Sequence, residues 1–104
     1  MLRNALALVA LVVLTACGTT STPSAPDEAI ASARYSHAGP AAITLFTVVN
    51  VKTGSGAHSG LLINGSQRVL FDPAGSFYHP RLPERADVHH GMNDKMVAFY
   101  IDYH

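Results

Sequence analysis

Cysteine is almost missing from this chain: Cys17 is the one example in 104 residues. A single thiol excludes an intramolecular disulfide. In an exported protein, a lone thiol also calls for a chemical purpose, because the compartment is oxidising. Charge is scarce as well. Charged residues make up 13% of the chain, and seven basic side chains balance seven acidic ones. Zero net charge excludes the basic surface with which nucleic-acid binders displace counterions from phosphates, so no nucleic-acid partner is expected. No apolar run reaches the roughly 20 residues of a permanent membrane span. There is no tryptophan and no internal repeat, and no cofactor is indicated. The length leaves room for one small domain.

What is present is concentrated at the N-terminus. Met1-Leu2-Arg3-Asn4 carries one positive side chain, and Ala5 to Leu14 is an unbroken apolar run of ten residues. That length suits the h-region of a signal peptide. It also inflates the 48% apolar content, which overstates the core of the remainder.

The run ends in Leu14-Thr15-Ala16-Cys17, which resembles the lipobox of bacterial lipoproteins. The resemblance implies a diacylglyceryl group on the Cys17 sulfur, cleavage between Ala16 and Cys17, and two or three acyl chains such as palmitate on the mature protein. The residue types suit that chemistry. Leu14 fills an apolar subsite, Thr15 and Ala16 are small enough to admit the backbone to a peptidase, and only a thiol forms the thioether. One acyl chain anchors marginally and reversibly, whereas two or three anchor durably. Membrane lipid is therefore the first expected partner, with an envelope protein as a second. Gly18 stands where Asp marks inner-membrane retention in enteric-type bacteria. The expected location is the periplasm-facing envelope, the outer membrane favoured, or the outer face of a single-membrane cell.

Gly18 to Ala42 is rich in small residues, Ser, Thr and Pro and has no hydrophobic periodicity. Such composition predicts a flexible, disordered spacer. A short helix around Pro26 to Tyr35, with Asp27 and Glu28 in its first turn, is the alternative.

From Ile43 onward the pattern changes. Ile43 to Lys52 is β-branched, with apolar side chains at 43, 45, 49 and 51, and predicts a strand. Ala57 to Ile63 and Ser66 to Asp72 are two apolar runs flanking Asn64-Gly65, a dipeptide suited to the positive φ of a type I′ hairpin turn. With Asn64-Gly65 as a two-residue loop, His58 falls opposite Phe71 and Gly60 opposite Val69, and Asp72 points away from the imidazole. Pro73 to Met92 is read as a long connection. Asn93 is placed to cap a final helix whose Met96, Phe99, Tyr100 and Tyr103 form one apolar stripe, read as core. The expected fold class is thus α+β. A signal helix (1–16) and a lipidated Cys17 with its tether (17–42) precede a small antiparallel sheet of strand plus hairpin with a C-terminal helix (43–104). About 60 residues without a disulfide lie at the lower limit of independent stability, which suggests an incomplete domain.

Two clusters carry candidate chemistry. Gly54-Ser55-Gly56-Ala57-His58-Ser59-Gly60, followed by Arg68-Val69-Leu70-Phe71-Asp72-Pro73, resembles the His-bearing hairpin of circularly permuted NlpC/P60-like (papain-like) proteins. The likeness covers about 20 residues. It implies that His58 occupies the position of the general base that activates a cysteine thiolate for attack on an amide or ester carbonyl. The sequence departs from that pattern decisively, because no cysteine follows Cys17 and a thioether would consume that sulfur. No competent cysteine hydrolase is therefore expected: the chain reads as a truncated or inactive relative with His58 a vestigial base. The alternative is a non-enzymatic envelope lipoprotein that acts as a binding or structural module. A structural histidine and a metal ligand are the other readings of His58. The second cluster is His79, His89 and His90 with Asp87 and Asp94. These are ligand-type residues without ligand-type spacing, read as exposed loop residues with no metal assigned. Arg68, Arg81 and Arg85 are read as surface charges.

Overall fold

A computed structural model describes residues 23–104. The expected signal helix, the cleavage position after Ala16 and Cys17 itself lie outside the described residues. Two helices, α1 (Asp27–Ala33) and α2 (Asp94–Tyr103), accompany five strands: β1 (Ala42–Val49), β2 (Gly56–Asn64), β3 (Arg68–Phe71), β4 (Glu84–Arg85) and β5 (Val88–His90). The strands form one antiparallel sheet in the order β1-β2-β3-β5-β4. The α+β class is therefore as expected, with two more strands than the sequence suggested. No helix among the described residues is long and apolar enough to cross a membrane.

One face of the sheet holds the core. Leu62 and Leu70 stand opposite each other on β2 and β3 and meet Phe77, Leu82, Met92, Met96 and Tyr100. Helix α2 starts where anticipated. Asn93 is its N-cap, and its side chain accepts a hydrogen bond from the Met96 N–H at 3.0 Å, satisfying one of the orphan donors of the first turn. Only half of the predicted stripe is core, however. Met96 and Tyr100 are buried, while Phe99 and Tyr103 remain exposed. On β1 the apolar residues at 43, 45 and 49 point away from the core, and Phe46 packs inward instead.

The β2–β3 hairpin does not turn on Asn64-Gly65. Asn64 pairs with Arg68, so Gly65, Ser66 and Gln67 form a three-residue loop. Neither Asn64 nor Gly65 has the positive φ that a type I′ turn requires. Two forces account for the longer loop. The observed register puts fully buried Leu70 on the same face as Leu62, whereas the predicted one turns it outward. The loop is also held from outside: Ser36 Oγ donates to the Ser66 carbonyl at 3.0 Å, the Arg68 N–H donates to Tyr35 O at 2.8 Å, and the Asn64 amide donates to Pro40 O at 2.9 Å.

Those contacts also revise the spacer. From Ser24 the chain is built into the fold: Ser24 bridges to Arg85, and the Ala25 N–H donates to Glu84 O at 2.9 Å. Arg85 reaches Asp27 at 2.8 Å. The short helix is α1. Polar, small-residue composition cannot build a core, but its backbone groups satisfy a sheet edge and a hairpin tip.

The 73–92 connection contains the hairpin β4–β5. Its two-residue loop is Ala86-Asp87, both at positive φ (49° and 63°). The type I′ geometry that Asn64-Gly65 advertised is adopted here by two residues without a glycine.

A candidate His–Asp–Tyr site

His58 lies near the start of β2 and Asp72 directly after β3. Shifting the hairpin by an odd number of residues turns β3 over relative to β2. Asp72 then shares a face with His58 and Leu62 instead of pointing away. The His58 Nε2–H donates to Asp72 Oδ1 at 2.5 Å, and the Tyr100 hydroxyl donates to the same oxygen at 3.0 Å. This corrects the expectation that Asp72 lies on the other face and that His58 has Phe71 as its neighbour.

The carboxylate is enclosed. The Asp72 side chain has no exposed surface, while His58 keeps 19% of its own. Two glycines make the room. A Cβ on Gly60 would stand 2.5 Å from the Tyr100 hydroxyl, and one on Gly75 would collide with Asp72 Oδ2. Ala74, at φ 55°, bends the chain so that Gly75 reaches that position. Asp72 Oδ2 is buried without a hydrogen-bond partner, so all the donors converge on Oδ1. Burial, and secondarily the adjacent Asp72, push the Tyr100 hydroxyl pKa far above its usual value, so Tyr100 serves as a donor at any physiological pH.

The C-terminal turn of α2 covers this array. The His104 ring stacks on His58 at 5.6 Å between centroids and meets Tyr100 edge-on at 4.9 Å. A cleft of about 250 Å³ opens beside them, lined by Phe46, Thr47, Val48, Val49, Tyr100, Ile101 and His104. Tyr100 and His104 carried no functional signal in the sequence, where Tyr100 reads as core and His104 follows the last helical turn.

The array has the parts of a base and its orienter. In hydrolytic triads a buried carboxylate holds an imidazole through one ring nitrogen while the other faces the nucleophile. Here Nε2 is held, which leaves Nδ1 as the free nitrogen. Among the described residues there is no thiol. The end of α2 beside His58 also carries the negative pole of the helix, which disfavours a thiolate.

The second cluster is dispersed. His79 rests on Phe99 at 5.1 Å and accepts the Arg81 N–H through Nδ1. Asp94 pairs with Arg68 at 2.7 Å, which lowers its carboxyl pKa. His89 is buried in the core against Phe77 rather than exposed in a loop. Burial lowers its pKa, outweighing the opposing fields of Glu84, Asp72 and Asp87. His90 is lowered too, by burial and then by Arg85. No group of three or more potential ligands that could hold a metal ion occurs among the described residues. Arg68 and Arg85, read as surface charges, are instead structural: one pairs with Asp94 at the start of α2, the other holds Ala25 and Asp27.

No family model, curated protein or solved structure matches the chain.

Proposed function

We propose that this protein is a membrane-anchored lipoprotein of the bacterial cell envelope whose small domain is an inactive NlpC/P60-like hydrolase module. The hydrogen bond between His58 and buried Asp72 carries the hydrolase part of the reading. It supplies the oriented imidazole that such a site uses, at the histidine the sequence motif singles out. Inactivity follows from chemistry: the chain's one sulfur nucleophile is Cys17, and a thioether at that atom leaves no lone thiol to attack a carbonyl. Two or three acyl chains on Cys17 make the anchor durable.

A second reading is a binding module without enzymatic ancestry. The cleft beside His104 favours it, because its walls are mainly apolar and the His58 ring is stacked beneath His104 instead of facing open solvent. Both readings share the anchor and differ at His58.

The test is hydrolysis by the full chain in detergent, with amide and ester substrates, before and after treatment with a thiol alkylator. No thiol-dependent turnover is expected. Turnover that the alkylator abolishes overturns the reading of an inactive module.

A further inference from the structure

The two edges of the sheet are finished differently. Strand β4 is two residues long, and Ser24 and Ala25 lie along it, taking up its main-chain groups. Strand β1 is eight residues long, and among the described residues nothing pairs with its outer edge. Natural proteins blunt such edges with lysines, prolines, inward charges or bulges. Here Ala38 to Val51 contains no charged residue, and Pro40 lies before the strand begins. The single register irregularity falls at its far end, between Val48 and Val49, leaving Ala42 to Val48 regular. The outer face is apolar as well: Ile43 is 71% exposed, Leu45 63% and Val49 50%.

We infer that β1 is a homodimer interface, pairing antiparallel with β1 of a second copy about a two-fold axis through Leu45. An open row of N–H and C=O groups is a template for an extended strand, and neither a helix nor lipid matches its spacing. A two-fold normal to the sheet keeps each side chain on its own face, so the core sides of the two sheets stay together. Leu45 is the midpoint of the regular segment. Pairing there sets Leu45 opposite the partner's Leu45, Ile43 opposite the partner's Thr47, and Thr44 opposite the partner's Phe46. No charged side chain enters the contact, so a second copy meets no repulsion. The two-fold also closes the assembly at two, because each copy's other edge is already covered.

The full chain in detergent, with a reductant present, tests this by sedimentation velocity. The wild type is expected at twice the protein mass of one chain. Leu45→Lys and Leu45→Glu each place like charges directly opposite one another, and each is expected to halve that mass. An equimolar mixture of the two variants is expected to restore it, which also shows that both are folded. Amide exchange across β1 is expected to be slowed in the wild type and to quicken in either variant alone. A monomeric wild type, an undiminished dimer with Leu45→Lys, or a mixture that stays monomeric overturns the proposal. So does a wild-type dimer whose β1 amides exchange as fast as those of the variants, since stacking of the outer faces would give that result.

Discussion

Asp72 shows how a single oxygen can organise a site. Oδ1 accepts from both His58 and Tyr100 while Oδ2 has no partner, so each donor matters. Tyr100→Phe removes one without changing packing volume, and is expected to cost about 1–3 kcal/mol of stability by leaving the buried carboxylate under-satisfied. Urea unfolding of the variant against wild type measures it. His89 sets a pH dependence of definite sign. Its folded pKa is held below the ordinary 6.5, so just below that pH the unfolded chain binds a proton that the folded one refuses. Stability is therefore expected to fall as pH drops through 6.5 towards the folded value, and to be retained above it. Melting temperatures between pH 8 and pH 5 check this, and His89→Leu is expected to flatten the profile. His90, lowered in the same direction, accounts for a remaining slope.

Among the elements, the two hairpins exchange the turns that their sequences suggest. Asn64-Gly65 has the composition of a type I′ turn and lacks its dihedrals, while Ala86-Asp87 has the dihedrals and lacks a glycine. Turn propensity is a local effect of order 1 kcal/mol. It yields to burying Leu70 and to two hydrogen bonds, from the Arg68 N–H to Tyr35 O and from Ser36 Oγ to the Ser66 carbonyl, that hold the longer loop. An alanine at φ 49° carries a Cβ clash of about 1–2 kcal/mol. Ala86→Gly is thus expected to raise the melting temperature modestly, after the extra entropy of glycine in the unfolded chain offsets part of the gain. A thermal melt showing no gain contradicts that account. Helix α2 was the most legible element, because the cap at Asn93 and the Met96–Tyr100 spacing are both local signals. Strands β4 and β5 were not legible: two and three residues are too few to show a period.

At the scale of the whole molecule, the segment after Cys17 has a geometric consequence. Ser24, seven residues further on, is already bridged to Arg85. Fully extended, that stretch spans about 25 Å. The lipid anchor proposed at Cys17 would therefore hold the domain close to the bilayer surface, not at the end of a long tether. Metabolic labelling with a palmitate analogue is expected to mark the wild type and to be lost in Cys17→Ala. Equal labelling of the two chains rules out the anchor. The cap of α2 and the α+β class were readable without any structure, because each rests on the pattern of neighbouring residues. Which side chains meet was decided only in three dimensions. A strand's two faces differ by one residue of register, and the tie between them is broken by packing against Tyr100 and by a docked segment 30 residues away. That choice placed Asp72 beneath His58, and with it the site.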